Sequence, residues 1–151
     1  MSSQQLRILV LADTHDHLPP KLNVLAAGVV EIWHLGDVCE PGLLEQLRKV
    51  GPPVTVVAGN CDSEADWPLV ADLEHNGVRF RLVHIPPGRV PENVDVLLHG
   101  HTHVPRDEVV GGVRFLNPGC VTRPNRGAPA SIAHLGISTK GELTWELTRL
   151  R

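Results

Sequence analysis

Three apolar runs, each closed by a polar cluster, constrain this chain more than any other feature. Leu6 to Leu11 is apolar apart from Arg7, Val29 to Leu35 apart from Glu31 and His34, and Val54 to Ala58 apart from Thr55. A strand with little polar alternation is buried on both faces, which is the mark of a parallel sheet covered by helices. Helical segments fill the gaps. Pro19 and Pro20 can open a helix reaching about Ala27. Pro41 to Val50 carries Leu43, Leu44 and Leu47 at helical spacing and stops at Gly51-Pro52. The order β-α-β-α-β predicts parallel strands joined by right-handed crossovers.

The second half reads differently. Leu69 to Glu74 and Val78 to Val83 flank Asn76-Gly77, a strong hairpin signal. Val94 to His99 is a further strand. Val109-Val110 and Val113 to Leu116 flank Gly111-Gly112, and Ser131 to Ile137 and Glu142 to Thr148 meet across Lys140-Gly141. The expected fold class is α/β: two β-sheets packed face to face, flanked by helices, in a single domain over 1–151. A chain of 151 residues suits one such core. With aromatics at only 3%, that core must come from Val, Leu, Ile and Ala.

Composition narrows the partners. No apolar stretch approaches the roughly 18 residues of a membrane span, and the polar Met1 to Gln5 shows no signal peptide. The net charge of −3 argues against a nucleic-acid surface. Cys39, Cys61 and Cys120 are scattered, and form neither a disulfide framework nor a Cys-x-x-Cys metal site. A cytoplasmic, reducing setting follows from that reading. Exposed edges of the second-half sheet leave room for a homo-oligomer.

The nine histidines need an explanation. Ligands of open α/β sheets bind beyond the carboxyl ends of strands. There this chain places Asp13-x-His15, Asp37, Asn60, His84 and His101-x-His103. Carboxylate and imidazole suit divalent transition metals. One zinc needs only four ligands, so seven candidates with an Asp able to bridge favour two ions, the arrangement used for in-line attack on phosphate esters. Taken singly, each piece has a plainer reading. Asp-x-His is a turn cap, Asp37 an N-cap of the Pro41 helix, Gly59-Asn60 a turn, and His84 a satisfied core histidine. The weight lies in all of them occurring in order, each at a strand end.

The set Asp13-x-His15, Gly36-Asp37, Gly59-Asn60-x-Asp62, His84 and Gly100-His101-x-His103 resembles the calcineurin-like metallophosphoesterases, with Asn117-Pro118-Gly119 similar to a further motif of that family. Gly59-Asn60-Cys61-Asp62 resembles its small bacterial and archaeal phosphodiesterases in particular. The resemblance implies two packed sheets flanked by helices and two divalent ions, manganese first, with nickel, cobalt, iron or zinc as alternatives. It implies that Asp13, His15 and His103 bind one ion and Asn60, His84 and His101 the other, with Asp37 bridging. A hydroxide shared by the ions would then attack phosphorus, and Asn60 and His15 would join the metals in stabilising phosphoryl charge. The implied substrate is a small phosphodiester. A phosphomonoester is one alternative. A scaffold like the small subunit of the retromer coat, which shares the fold, is another; that subunit lacks a His matching His84, which this chain keeps.

Several residues depart from the family pattern. Cys61 stands where other branches have His; a thiol is a poorer proton donor, so activated aryl esters are expected to outrun alkyl esters. Asp16 replaces a usual Gly and accommodates a left-handed turn. Ile85 replaces another, and Pro86 to Asn93 is too short for a helical crossover, which predicts a bare loop and an open site. Cys120 stands where Ser is common. Arg89, Arg123 and Arg126 read as solvated loop residues within possible reach of an anion. His34 and His99 read as strand-end packing, His75 and His134 as surface or turn residues.

Overall fold

The computed structural model describes residues 5–62, 65–122 and 125–150; Met1 to Gln4 and Arg123 lie outside them. Ten strands form two five-stranded sheets. The first contains β1 (Leu6–Leu11), β2 (Glu31–His34), β3 (Val54–Val56), β9 (Ser131–Ile137) and β10 (Leu143–Arg149), in the order β10-β9-β1-β2-β3. β1, β2 and β3 are parallel, as the β-α-β-α-β pattern requires, and β9 and β10 add antiparallel to β1. The second contains β4 (Val70–His75), β5 (Val78–Val83), β6 (Val96–Leu98), β7 (Arg106–Val110) and β8 (Val113–Asn117), in the order β4-β5-β6-β8-β7. Two of the three anticipated hairpins sit at its edges; the third returns to the first sheet, so that β9, buried almost throughout, has a neighbour on each side.

The apolar run of β1 serves two cores. Side chains alternate across a strand, so Ile8 and Val10 point between the sheets, against Trp33, Phe80, Leu82, Leu98 and Leu135. Leu9 and Leu11 point the other way, against Ile32, Leu43, Leu44 and Leu47. The helices lie on that outer face of the first sheet. α2 (Pro41–Arg48) follows the leucine spacing, but its N-cap is Glu40 rather than Asp37. α1 is a single turn, Leu22–Leu25, instead of a helix from Pro19. Leu18 and Pro19 both precede prolines, which drives them out of the α region, and Lys21 then enters the turn at φ 59°. Among the described residues the second sheet carries no helix. Its outer cluster is Val94, Leu97, Val113 and Phe115, with the Arg106 guanidinium 4.5 Å from the Phe115 ring centre.

The cysteines overturn an expectation. Cys39 and Cys61 form a disulfide, with their Cα atoms 5.1 Å apart; Cys120 is buried and outside that disulfide. The two lie 22 residues apart in sequence, but the ends of β2 and β3 are neighbours in the sheet. The inference of a reducing compartment from unpaired cysteines therefore loses its basis. Among the described residues no helix is long and apolar enough to cross a membrane.

Candidate metal centre

The loops after β1 and β2 are zipped together by their backbones. Asp13 N–H donates to Gly36 O at 2.9 Å, His15 N–H to Asp37 O at 3.0 Å, and Asp16 N–H to Val38 O at 3.1 Å. The loop after β6 joins them: Gly100 N–H donates to His84 O, and His101 N–H to Asp13 Oδ2 at 3.2 Å. The turns are tight. Asp13, His15, Asp37, His101 and His103 all have φ between 44° and 73°, a region that costs a non-glycine residue of order 1 kcal/mol or more and collects at functional sites. Asp16 shares it at φ 73°, as expected of an Asp in place of Gly, and its carboxylate accepts Glu40 N–H at 2.8 Å.

These loops bring the predicted side chains to one place. Asp13 Oδ1 lies 3.9, 3.8 and 3.5 Å from Nε2 of His15, His84 and His103. Asp37 Oδ2 lies 3.8 Å from His15 Nε2 and 3.4 Å from His84 Nε2. His101 Nδ1 lies 3.1 Å from Asn60 Oδ1. The rings pair as His15 with His103 and His84 with His101, centres 5.4 and 5.2 Å apart. Asn60 and His101 face solvent, whereas Asp13, Asp37 and His84 are buried.

The tautomers suit a cation. His84 Nδ1 faces Leu35 O at 2.8 Å and must donate to it, so the lone pair of the neutral ring sits on Nε2, towards the carboxylates. Cys39 Sγ, 3.6 Å from His15 Nδ1, carries no proton in the disulfide; Nδ1–H is again the donor. Asp13 Oδ1 is buried with no hydrogen-bond donor. An orphaned carboxylate oxygen facing imidazole nitrogens is costly unless a positive charge sits among them, so the donor set fits a divalent cation.

Electrostatics separate the two carboxylates. Burial pushes Asp13 up to about 6, against the pull of His84 and His103. Burial also raises Asp37, but the His84 ring, the Cys61 N–H and His15 outweigh it and bring it down to about 2. Burial lowers His84, yet Asp37 and Asp13 raise it further, so the net shift is upward.

Other residues hold the loops. Asp62, part of a quoted motif but given no role there, is buried and accepts N–H bonds from Asp37, Cys39 and Gly59 at 2.8 Å each. It fixes the ends of β2 and β3 to each other. His34 does more than pack: its Nδ1 accepts Gly36 N–H at 3.1 Å and its Nε2–H reaches Thr14 Oγ1 at 3.0 Å. Burial lowers it to about 4, which keeps it neutral. His99 is also lowered to about 4, chiefly by burial; it accepts from Arg106 through Nε2 and donates through Nδ1 to Gly100 O. Asn117 Nδ2 donates to Gly100 O and to Thr102 Oγ1, at 3.3 and 3.0 Å. Of the two histidines read as surface or turn residues, His134 is neither, and His75, half-buried just before the Asn76-Gly77 turn, is engaged by its neighbours. His134 is buried on β9 and bonds Leu25 O; His75 pairs with Glu31 at 2.7 Å and stacks on Trp33.

Two glycines are required by space. A Cβ on Gly59 would stand 2.3 Å from Asp37 Oδ1 and 2.4 Å from Asp37 N, and one on Gly36 would stand 2.7 Å from His84 Nδ1. Gly59→Ala must displace the Asp37 loop backbone. It is expected to weaken divalent-cation binding by about a hundredfold, the upper end for disturbed ligand support, as read by calorimetry; unchanged affinity would refute the role given to that contact.

Comparison with known proteins agrees with this geometry. Residues 6–140 match the calcineurin-like phosphoesterase superfamily domain. Phosphodiesterase YfcE of Escherichia coli is 31% identical over 86% of this chain and 87% of its own length. The probable metallophosphoesterase MJ0623 of Methanocaldococcus jannaschii is 31% identical over 88% of this chain and 77% of its own. The solved structure of YfcE superposes with a TM-score of 0.74 at 27% identity, covering 97% of this chain and 100% of that one. Vacuolar Protein Sorting 29 of Cryptosporidium parvum shares the fold, with a TM-score of 0.76 at 21% identity over 97% and 98% of the two chains. Family match, sequence identity and fold thus agree, and the chain belongs to the calcineurin-like phosphoesterase superfamily.

Proposed function

We propose that this chain is a phosphodiesterase that works with two divalent cations. Asp13, His15 and His103 would hold one ion and Asn60, His84 and His101 the other, with Asp37 available to both. The observation that carries this reading is the buried Asp13 Oδ1, without a donor and facing three imidazole Nε2 atoms within 3.9 Å. Bound ions supply Lewis acidity towards phosphoryl oxygens and activate water as the nucleophile. Manganese is the first choice, with nickel, cobalt, iron and zinc as alternatives, because the set mixes carboxylate, amide and imidazole.

The chain's own groups divide the remaining work. Asn60, exposed at the mouth, donates its amide N–H to a phosphoryl oxygen, and His15 orients the opposite side. The disulfide leaves Cys61 no S–H to give, so protonation of the leaving oxygen falls to water. Aryl esters, whose leaving groups need no proton, then react far faster than alkyl esters.

A diester has two substituents, and two hollows flank the centre. On the His101 side a cavity of about 790 Å³ is lined by His99, Thr102, Arg106, Asn125 and Arg126. On the Asn60 and His84 side a smaller one, about 310 Å³, is lined by Leu69, Val70, Val83 and Ile85. Their volumes and linings suit one polar and one apolar substituent. The likeness to Vacuolar Protein Sorting 29 favours a second reading, a scaffold on the same fold; the presence of His84 within a full donor set favours the enzyme.

A rate panel of aryl and alkyl phosphodiesters and monoesters, with manganese, nickel, cobalt, zinc and magnesium in turn, tests the reading. Metal-dependent diester hydrolysis, fastest on aryl esters and at least about a hundredfold slower in Asn60→Ala, is expected. Absence of hydrolysis with every metal, alongside tight metal binding, would favour the scaffold.

A further inference from the structure

We propose that reduction of the Cys39–Cys61 disulfide creates a second, soft-metal site, built from the two cysteine sulfurs and His15 Nδ1. The three donor atoms already lie within 4.8 Å of one another. Cys61 is exposed and Cys39 half-buried, so reductant and ion both reach them from solvent. Cutting the bond does not release the backbone. Asp62 Oδ1 still holds Cys39 N–H at 2.8 Å, and Asp37 Oδ1 still holds Cys61 N–H at 3.1 Å. The reduced pair is therefore presented by loops fixed independently of the disulfide, with Cα atoms 5.1 Å apart.

The redox step is ordinary exchange with a dithiol. The dithiol gives up two electrons and two protons and closes to its own disulfide; the Cys39–Cys61 bond breaks and both sulfurs become thiols. A soft cation then displaces the thiol protons. Two thiolates and an imidazole favour zinc, cadmium or copper(I) over manganese or magnesium, whereas the carboxylates on the other side of His15 are harder donors. The two sites share one ring. Nδ1 faces the sulfurs, and Nε2 lies 3.9 and 3.8 Å from Asp13 and Asp37. A neutral imidazole has one bare nitrogen, so a cation taken through Nδ1 withdraws His15 from the carboxylate centre. This competition rests on the proposed role of His15 in that centre; the cysteine site itself does not.

The test uses the full chain, oxidised or reduced with a dithiol and desalted without oxygen, titrated with cadmium chloride. The readout is the ultraviolet thiolate-to-cadmium charge-transfer band. The reduced protein should show a band saturating at one cadmium per chain, and the oxidised protein none. Cys39→Ser and, separately, Cys61→Ser should bind cadmium at least about tenfold more weakly, as should His15→Gln. Manganese binding, followed by electron paramagnetic resonance, should fall on adding one equivalent of cadmium to the reduced protein but not to the oxidised one. No band after reduction, or a band unchanged in both cysteine variants and so owed to Cys120, would overturn the proposal. A band that behaves as described in a protein whose oxidised form binds neither manganese nor nickel, cobalt, iron or zinc would uphold the cysteine site and refute the carboxylate centre.

Discussion

On the proposed function, replacing Asp37 with Asn should lower kcat/KM on an aryl phosphodiester by about a thousandfold, roughly 4 kcal/mol of transition-state stabilisation. The substitution keeps the shape. Asn can still accept the Cys61 N–H that now reaches Asp37 Oδ1 at 3.1 Å, and the backbone bonds to Asp62 and His15 are untouched. Only the charge is lost. That charge is permanent, because the carboxyl is held down to about 2, burial notwithstanding, by His84, the Cys61 N–H and His15. An amide offers one neutral oxygen where a carboxylate offers an anion to both halves of the donor set, so manganese affinity falls together with rate. Asp62→Asn is the matching control for position. Asp62 is not among the proposed ligands of the two-ion centre but holds four loop N–H groups, those of Asp37, Val38, Cys39 and Gly59, and its loss costs about ten- to a hundredfold in metal affinity. The measurements are steady-state kinetics at saturating manganese and calorimetric manganese binding, with circular dichroism confirming the fold. An Asp37→Asn enzyme within threefold of the parent would remove Asp37 from the centre.

How far the sequence anticipates this site depends on the length scale of each signal. That the candidate ligand residues cluster was legible because parallel strands end side by side. Once Leu6 to Leu11, Val29 to Leu35 and Val54 to Ala58 read as strands of one sheet, Asp13, Asp37 and Asn60 had to meet at its carboxyl edge. Both second-sheet hairpins were legible from the turn chemistry of Asn76-Gly77 and Gly111-Gly112, where all four residues take positive φ. The disulfide was not, because Cys39 and Cys61 became neighbours only through the pairing of β2 with β3. His134 was misread for a similar reason: its partner Leu25 O comes from α1, across the face of the sheet. Pro19-Pro20 misled differently, since a proline that suits the first turn of a helix also forbids its predecessor the α region. Asp62 sat in view within the motif, but its role lies in backbone N–H groups of another loop, which no side-chain pattern encodes.

Asp13→Asn should make the metal-stripped protein more stable at pH 8 while weakening its response to metal. Asp13 is fully buried, and burial raises its carboxyl from 3.8 to about 6. Between those values the folded protein holds a proton that the unfolded chain has released, so stability from this group is complete below pH 4 and is lost as pH rises through 6. At pH 8 the buried charge costs of order 3 kcal/mol, which in a domain of this size lowers Tm by roughly 5–10 °C. An amide escapes that cost and can donate to the imidazoles from the place where Asp13 Oδ1 has no donor. In the parent, manganese at a hundred times its Kd returns about 2.7 kcal/mol, a rise in Tm of similar size. In Asp13→Asn one ion loses its carboxylate while Asn60, His84 and His101 are untouched, so added manganese returns a smaller rise in Tm. Four melting curves at pH 8, parent and variant with manganese or with a chelator, should therefore converge: variant well above parent when stripped, the gap closed by the parent's larger rise when loaded. At pH 5, where the parent keeps the Asp13 proton, the stripped curves should draw together. A stripped variant that melts below the parent at pH 8 would mean that Asp13 stabilises the fold directly and that the buried carboxylate is not held there at the expense of stability for a cation.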